Sequence, residues 1–290
     1  MSDSAESWEL TQGALINGKY RIERVIGRGA MGLVLAATDL RLGRRVALKF
    51  LLPAVASNPE LRARFTREAQ SAARLRNQHV VSIFGVEESG EGQPFIVMEY
   101  LDGEDLATLL ARRGRLPVDA AVEYVLQTCE ALSEAHALGI VHRDLKPANL
   151  FLTRHPDGSP WIKVCDFGIA KSAFGDTPHL TKTGEFIGTP QYSAPEQLRS
   201  SGAVDQRADI WSLGAILFEM LAGRPPFQGH SLQHLAAQVC HTDPPELGGV
   251  RPDVPVGLRQ VVSSCLRRDL DSRVLDVAEV AERLRPYAPP

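Results

Sequence analysis

The first third of the chain alternates apolar and polar residues in the manner of β-strands. Alternation runs through YRIERVIGRGAMGLVLAATD (residues 20–39), around a cluster of glycines, and again through RRVALKFL (residues 44–51). Two further segments of this kind, VVSIFGVEE and QPFIVMEYL, are separated by the turn-forming sequence SGEGQ. This part of the chain is therefore predicted to be rich in strands.

One helix is predicted within the strand-rich part, over residues 58–77. The segment begins with an Asn-Pro pair, which is typical of a helix start. Its apolar residues recur at the spacing of one helix face, at Leu61, Phe65, Ala69, Ala72 and Leu75. The segment is therefore interpreted as an amphipathic helix.

From about Leu101 the pattern becomes helical, first over residues 118–139. Residues 210–223 form the most apolar run, and their apolar side chains go nearly all the way round a helix. This run is too short to span a bilayer and contains Glu219, so it is predicted to be a buried core helix. A strand-rich lobe thus precedes a helix-rich lobe, with the changeover near residues 98–103. Two lobes imply a cleft, the usual place for a ligand.

Composition excludes several classes of protein. The chain has 290 residues, 44% hydrophobic and 23% charged, which is typical of a soluble globular protein. Its net charge of −3 gives no sign of binding to nucleic acid or to a membrane surface. The N-terminus, MSDSAESWELTQ, does not resemble a secretory signal. The four cysteines are scattered without a CxxC pair, so neither a zinc site nor a disulfide framework is indicated, and a reducing compartment is favoured.

The glycines of GRGAMG, at Gly27, Gly29 and Gly32, allow three interpretations. A dinucleotide-binding motif of this kind needs a helix directly after the last glycine, whereas the strand-like sequence LVLAATD follows here. The glycines are therefore predicted to lie in a strand-turn-strand hairpin. Such a loop can place its backbone amides close to phosphate groups, or it can be a simple turn.

Lys49 lies in a strand that is predicted to be buried, where an ammonium without a partner would be costly. Glu68 projects from the edge of the apolar stripe on the predicted helix and is the candidate partner. The pair would hold the ammonium in the cleft. The alternative is that the lysine side chain extends to the surface.

Four polar groups follow one another closely in HRDLKPANLF (residues 142–151) and VCDFG (residues 164–168). Asp144 can orient a hydroxyl or accept its proton, and Lys146 can stabilise a phosphate in transfer. Asn149 and Asp166 offer oxygen ligands of the kind that Mg²⁺ prefers. Phosphoryl transfer requires this combination of groups, and a polar turn with incidental side chains is the alternative.

Taken together, these motifs resemble those of eukaryotic-type (Hanks-type) serine/threonine protein kinases, over about residues 20–284. The ordered series is GRGAMGLV, VALK, a glutamate within the helix, HRDLKPAN, DFG, APE, DIWSLG and a late arginine. Among kinases, the chain looks most like the bacterial members. The departures from the pattern, such as Met31 in the glycine loop and Leu270 before the late arginine, remove no catalytic group.

The resemblance implies an α+β fold with two lobes and ATP in the cleft. The small lobe would be an antiparallel sheet with one main helix, over about residues 20–98. The larger lobe, over about residues 102–286, would be mainly helical. Residues 1–19 would be an N-terminal extension to the kinase domain, which would span residues 20–286.

For catalysis, the resemblance implies that Asp144 is the base and that Lys146 contacts the γ-phosphate of ATP. Lys49, held by Glu68, would contact the α- and β-phosphates. Mg²⁺, for which Mn²⁺ can substitute, would be bound by Asn149 and Asp166. The lysine at position 146 resembles that of serine/threonine kinases, so Ser or Thr is the expected acceptor.

The resemblance also implies a set of ATP-binding residues. Glu99 and Leu101 would offer backbone hydrogen bonds at the hinge, and Met98 would close the back of the pocket, a role with which plain core filling remains compatible. The full implied set is Gly27, Arg28, Gly29, Ala30, Met31, Gly32, Val34, Ala47, Lys49, Met98, Glu99, Leu101 and Phe151.

Regulation is expected to act on the segment after Asp166. Arg143 directly precedes the base, as in kinases that are activated by loop phosphorylation, and its guanidinium, expected to be buried, would bind a phosphothreonine. Thr181 and Thr183 are the implied phosphorylation sites, with Lys171 a second phosphate ligand. The alternative is that these are ordinary loop threonines.

Other matches to the kinase pattern are expected to be structural. Glu196 would pair with Arg273 as a buried brace of the large lobe, and Asp209 would anchor the catalytic loop. His142 would belong to a stacked core rather than act as a base.

A protein kinase acting on Ser or Thr of protein substrates is the favoured function. The alternatives are a pseudokinase, a small-molecule phosphotransferase and, least, a dinucleotide oxidoreductase. A transient homodimer for mutual phosphorylation is a further expected partner, whereas no nucleic acid and no membrane contact are expected. The expected location is the cytoplasm, either as a stand-alone kinase or as the cytoplasmic kinase domain of a longer protein.

Overall fold

The computed structural model describes residues 12–29, 32–90, 92–167, 190–199 and 204–289, and the account below concerns these residues. They form two compact units, each described by itself. The first unit takes in the described residues up to Ala73 together with Ser82–Leu101. The second unit takes in Arg74–Val81 and the described residues from Asp102 onward.

The first unit is built on a six-stranded antiparallel sheet, in the spatial order β1-β2-β3-β4-β6-β5. Its strands and helices are β1 (Leu15–Ile16), β2 (Tyr20–Arg28), β3 (Gly32–Asp39), β4 (Arg44–Leu51), α1 (Pro53–Ala56), α2 (Pro59–Ala72), β5 (Ile83–Glu88) and β6 (Pro94–Glu99). Strand β1 pairs with β2, yet at two residues it is too short for alternation to reveal it in the sequence.

Alternation along β3, β4 and β6 separates the two faces of this sheet. One set of alternating residues, including Leu35, Leu48 and Val97, forms a fully buried apolar core. Aromatic rings complete that core, with the Phe95 ring stacked 4.8 Å from Phe50 and at right angles to Tyr20, 6.0 Å away. The intervening residues lie on the opposite face, which carries the candidate site residues.

Helix α2 confirms the predicted helix but ends earlier, at Ala72. Its start is stabilised because the Asn58 side chain accepts hydrogen bonds from the backbone of Glu60 and Leu61, at 2.9 and 3.3 Å. Phe65 and Ala69 form its buried face.

The backbone amides of residues that follow α2 form hydrogen bonds with a side chain rather than with the helix. The backbone amides of Arg76 and Asn77 donate to the carboxylate of Glu134, at 3.0 and 2.7 Å. Because these amides have a side-chain acceptor, they do not extend the helix to residue 77 as the apolar spacing predicted.

The second unit is mainly helical and contains a three-stranded sheet in the order β7-β8-β9. Its strands and helices are β7 (Glu104–Asp105), α3 (Leu106–Arg113), α4 (Val118–Ala137), β8 (Leu150–Arg154), β9 (Pro160–Val164), α5 (Pro195–Leu198), α6 (Arg207–Ala222), α7 (Leu232–His241), α8 (Leu247–Val250), α9 (Val256–Cys265) and α10 (Val277–Leu284).

Helix α6 is the buried helix predicted near residues 210–223. Its side chains are buried almost all the way round, including the large ring of Trp211, which stacks on Phe227 at 5.8 Å. Gly223, at a φ of +77°, ends the helix in the left-handed conformation that glycine adopts without strain. Among the helices of the described residues, none is both long and apolar enough to cross a bilayer.

Candidate functional site

The glycine-rich segment is a hairpin between β2 and β3, as predicted. Gly27 lies opposite Val34 in the antiparallel register, and the backbone amide of Gly29 donates to the carbonyl of Gly32 at 2.9 Å. A Cβ atom on Gly32 would lie 2.5 Å from the carbonyl oxygen of Phe50, so only glycine fits there. Because a strand follows the glycines, the dinucleotide-binding interpretation is excluded.

Four predicted ATP-binding residues share the face of the sheet opposite the buried core. Val34 pairs with Lys49 across β3 and β4, and Ala47 pairs with Met98 across β4 and β6. Cross-strand partners point to the same side of a sheet, and Ala47 and Lys49 are two residues apart, so all four side chains are on one face. This face offers one lysine among apolar groups.

Glu68 lies on α2 in the same unit as Lys49. Both side chains are half-buried, and Glu68 adjoins the buried Ala69. Glu99, the last residue of β6, is held by Ser82, whose backbone amide donates to the Glu99 carboxylate at 3.2 Å and whose carbonyl accepts from the Glu99 amide at 2.9 Å. The pairing of Lys49 with Glu68 and the hinge role of Glu99 and Leu101 stay predictions.

In the second unit, Asp144 and Lys146 form an ion pair. The Lys146 Nζ lies 2.7 Å from Asp144 Oδ2, and the Asp144 side chain is 9% exposed. The contact joins residues two positions apart in sequence, directly before a single turn of 3₁₀-helix at Pro147–Asn149. The carboxylate is thus held at an ammonium with little access to water, where their mutual attraction is strong.

A backbone hydrogen bond links the segment of Asn149 to the residue before Asp166. The Asn149 side-chain amide donates to the carbonyl of Asp144 at 2.9 Å, which leaves its Oδ1 as the atom able to act as a ligand. The Asn149 carbonyl in turn accepts from the amide of Cys165 at 2.9 Å, directly before Asp166. Asp166 has a φ of +61°, a strained value for a residue other than glycine.

His142 is fully buried and structural. Its Nε2 lies 2.9 Å from the carbonyl of Cys165 and must therefore donate, which leaves Nδ1 as the acceptor of the Asp144 amide at 3.3 Å. Its ring packs 4.8 Å from that of Phe167. These contacts use both ring nitrogens, so His142 links the segment before Asp166 to the residue proposed as base.

Asp209, fully buried on α6, binds the backbone of the catalytic loop. Its Oδ2 accepts from the amide of His142 and its Oδ1 from that of Arg143, each at 2.8 Å. A third contact, from His136 Nε2 at 2.8 Å, was missed by sequence reasoning. Only the position of His136 at the end of a helix that precedes the motif could have suggested it.

Arg143 has the left-handed φ of +63°, which costs about 1–3 kcal/mol for a residue other than glycine. Its guanidinium is half-buried rather than buried as the sequence suggested. Its carbonyl accepts a hydrogen bond from Gln197 Nε2 at 2.8 Å. Sequence reasoning also missed Gln197, although a glutamine at the third position of a helix is part of a known capping pattern.

Phe151 is half-buried on β8, opposite Asp105 of β7 and Lys163 of β9. A Cβ atom on Gly103, where φ is +150°, would lie 2.1 Å from the Leu152 carbonyl and 3.2 Å from the Phe151 ring. Glycine is therefore required beside this ring.

Glu196 and Arg273 are in contact, with Nη1 to Oε1 at 2.7 Å and Nη2 to Oε2 at 3.1 Å. The Arg273 side chain is completely buried and also donates to two backbone carbonyls, those of Arg267 and Arg207, each at 2.8 Å. Its guanidinium lies 5.2 Å from the centre of the Trp211 ring. The pair thus ties α5 to α6 and to the loop after α9.

Tyr192, in the turn that precedes α5, donates to the Glu219 carboxylate at 2.6 Å. Burial raises the pKa of Glu219 above its ordinary value of 4.5. Burial likewise raises the pKa of the Tyr192 hydroxyl, so this group stays a donor throughout the physiological range.

Five of the predicted residues lie outside the described residues. They are Ala30, Met31, Lys171, Thr181 and Thr183.

The groups present suit a nucleotide with a divalent cation. The cation ligands would be a carboxylate and an amide oxygen, from Asp166 and Asn149, which matches the preference of Mg²⁺ for a few hard oxygen ligands. Lys146 supplies a positive charge within hydrogen-bond reach of Asp144. A carboxylate, an ammonium and two oxygen ligands on one loop and its neighbour can together orient a hydroxyl and stabilise a phosphate.

Comparison with known proteins adds the family. A family model described as the protein kinase domain matches residues 20–282. The chain is 37% identical to the probable serine/threonine-protein kinase PknB of Corynebacterium glutamicum, over 93% of this chain and 42% of that protein. It is 39% identical to the serine/threonine-protein kinase Pkn1 of Myxococcus xanthus, over 92% of this chain and 38% of that protein. The chain thus spans about two-fifths of the length of these relatives.

A solved structure agrees in fold. The crystal structure of the PknI kinase domain of Mycobacterium tuberculosis matches with a TM-score of 0.74 and 33% identity, over 96% of this chain and 100% of that chain. The predicted fold class, a sheet-rich small lobe followed by a mainly helical large lobe, is confirmed.

Proposed function

Because this chain belongs to the protein kinase family, we propose that it transfers the γ-phosphate of ATP to serine and threonine hydroxyls of proteins. The observation that carries the proposal is the ion pair between Asp144 and Lys146 at 2.7 Å, held in a loop that also carries Asn149. Use of ATP with a divalent metal is general to the family, and Mg²⁺, replaceable by Mn²⁺, is the metal we propose here.

Asp144 accepts a hydrogen bond from the acceptor hydroxyl and orients it for attack on phosphorus. Lys146, already in contact with Asp144, is placed to neutralise charge on the phosphate that is transferred. Asn149 and Asp166 would hold the metal, which would neutralise charge on the phosphates. Lys49, oriented by Glu68, binds the α- and β-phosphates.

The rest of the nucleotide is bound mainly by apolar side chains and backbone. We propose that Val34, Ala47 and Met98 contact the adenine, that Phe151 is a further adenine-binding residue, and that Glu99 and Leu101 offer backbone hydrogen bonds. The glycine loop from Gly27 to Gly32, including Arg28, covers the phosphates. In support, Val34, Ala47 and Met98 share one sheet face with Lys49.

Activation is proposed to follow phosphorylation of Thr181 or Thr183, with Arg143 and Lys171 binding the phosphate. A transient homodimer would allow one copy to phosphorylate the other. The proposed location is the cytoplasm, either for a stand-alone kinase or for the cytoplasmic kinase domain of a longer protein. We further propose that the kinase domain spans residues 20–286 and that residues 1–19 form an extension.

The test is incubation of the purified chain with ATP, Mg²⁺ and a generic protein substrate, followed by phosphosite mapping by mass spectrometry. Asp144→Asn, an isosteric change that removes the carboxylate, serves as the control. Transfer by this variant should fall by at least about 10²- to 10⁴-fold, since the base is lost. Its melting temperature and ATP binding should be kept.

Phosphate on serine or threonine of the substrate, in the wild type only, supports the proposal. Phosphate on Thr181 or Thr183 in the same sample supports the activation mechanism. ATP binding without any transfer by the wild type would instead identify a pseudokinase.

A further inference from the structure

The peptide that joins Arg143 to Asp144 is held from both sides. Its carbonyl, from Arg143, accepts from Gln197 Nε2 at 2.8 Å. Its amide, from Asp144, donates to the carbonyl of His142 at 2.8 Å. The orientation of this peptide sets the direction in which the Asp144 side chain leaves the backbone.

These hydrogen bonds matter because the backbone of Arg143, the first residue of this peptide, is strained. Arg143 has a φ of +63°, a conformation that the rest of the structure must maintain. Asp209 holds the amide of Arg143 at 2.8 Å, and Gln197 holds its carbonyl. The two side chains therefore form hydrogen bonds with both backbone polar groups of the strained residue.

Gln197 is itself fixed in orientation. Its Oε1 accepts from the backbone amide of Ala194 at 3.0 Å, at the start of α5. With Oε1 used as an acceptor, Nε2 is the end of the Gln197 amide that donates to the Arg143 carbonyl. If the side-chain amide were flipped, Oε1 would face the Arg143 carbonyl and Nε2 would face the Ala194 amide. Neither pair can form a hydrogen bond, so only one orientation of the amide satisfies both contacts.

We propose that Gln197 is a positioning residue for Asp144. It holds the catalytic-loop peptide against α5, the helix that Glu196 and Arg273 brace, and so keeps Asp144 at the angle required by the acceptor hydroxyl. The inference rests on the proposed function of Asp144 as base. Loss of the contact should lower kcat and leave KM for ATP unchanged, since the hydrogen bonds of Gln197 go to Arg143, directly before the base, and to Ala194 rather than to a predicted ATP-binding residue.

Replacing Gln197 by glutamate tests its two contacts independently, because one is kept and the other is lost. In Gln197→Glu the carboxylate still accepts from the Ala194 amide, so the cap of α5 is kept. The same carboxylate cannot donate to the Arg143 carbonyl and is repelled by it. When protonated, the carboxyl again has an O–H that can donate. Gln197→Met, of similar length, loses both contacts at every pH.

The experiment measures kcat and KM for ATP across a pH series for the wild type, Gln197→Glu and Gln197→Met. At high pH both variants should lose about 10- to 100-fold in kcat, the scale expected for a small displacement of a catalytic group. As the pH falls, the kcat of Gln197→Glu should approach that of the wild type. The kcat of Gln197→Met, divided by that of the wild type, should not change with pH.

Gln127→Glu is a matched control in the same unit. Gln127 makes the same pair of contacts, accepting from the Ile162 amide at 2.7 Å and donating to the Pro160 carbonyl at 3.1 Å, away from Asp144. It also donates to Glu123 at 3.3 Å, so the substitution should cost stability at least as readily. Its kcat should equal that of the wild type at each pH.

Three results would overturn the inference while the wild type is active. These are an unchanged kcat in Gln197→Glu at high pH, a loss in Gln127→Glu of equal size, or an effect of Gln197→Glu on KM for ATP alone. A wild type that transfers no phosphate would overturn the proposed function instead, so the two failures are distinguishable.

Discussion

Removing Glu196 should destabilise the second unit through the buried charge that it leaves behind. The perturbation is Glu196→Ala, which deletes the carboxylate that binds Arg273 through two oxygens, at 2.7 and 3.1 Å. Because the Arg273 side chain is completely buried, the guanidinium cannot regain water in the folded chain.

The size of the expected loss in stability depends on the hydrogen bonds that Arg273 keeps. Removing one partner of a buried ion pair costs about 3–5 kcal/mol. Two backbone carbonyls still accept from the guanidinium, each at 2.8 Å, and their dipoles offset part of the lost attraction. We therefore expect the lower end, about 3 kcal/mol. For a domain of this size class the melting temperature should fall by about 6–12 °C.

The assay is thermal unfolding, monitored by calorimetry and by tryptophan fluorescence. It compares the wild type, Glu196→Ala, Arg273→Met and the double variant. The double variant leaves no buried charge, so it should be about 1–3 kcal/mol more stable than the sum of the single losses predicts. Asp243→Ala is the control, since Asp243 also pairs with an arginine, Arg268, but is 88% exposed. That variant should lose no more than about 1 kcal/mol.

The reasoning would be refuted by a melting temperature for Glu196→Ala equal to that of the control. It would equally be refuted by single effects that simply add in the double variant, because the charge would then have been solvated or compensated elsewhere.

Two further predictions concern pH and backbone conformation. Since burial raises the pKa of Glu219 above 4.5, the stability contributed by its neutral form is complete below that pH and is lost as the pH rises through the folded-state pKa. Glu219→Gln should therefore gain in melting temperature relative to the wild type as the pH rises from 4.5, and a constant difference across the series would contradict this. Gly103→Ala should destabilise by more than about 1–3 kcal/mol in urea unfolding, since its Cβ would meet the Leu152 carbonyl at 2.1 Å in a conformation strained for alanine. Gly249→Ala, with open space at the same atom, should be close to neutral, and equal losses in the two variants would contradict the steric explanation.

Local patterns account for much of what could be predicted. The strand from Arg44 to Leu51 was predicted with its observed bounds, because alternation reports directly which face is buried. The buried helix around Trp211 was visible because its apolar residues surround the helix axis. The hairpin at Gly27–Gly32 followed from the strand-like sequence after it. Each of these depends on neighbours within a few residues.

The groups that we propose as catalytic were also visible in sequence, because Asp144, Lys146 and Asn149 lie within six residues of one another. A short loop keeps such groups close in any fold. The contact between Asp144 and Lys146 at 2.7 Å is therefore a local one, between residues two positions apart in sequence.

Contacts between distant segments were decided by the tertiary structure. Gln197 reaches the carbonyl of a residue 54 positions away, and the amide of Arg143 reaches Asp209 across 66 positions. No periodicity links such residues, because their meeting depends on how α5 and α6 pack against the loop. The end of α2 at Ala72 has the same origin, since the amides beyond it are bound by Glu134 of a helix far along the chain.

The sequence by itself determined the order of strands and helices and the chemistry of the catalytic loop, since both are encoded by residues close together. Only the tertiary structure decided that Arg143 adopts a left-handed backbone, because arginine has no local preference for that conformation. Its amide must donate to Asp209 and its carbonyl must accept from Gln197, both far along the chain, to hold it. The orientation of the proposed base is thus a property of packing, whereas its identity is a property of the chain.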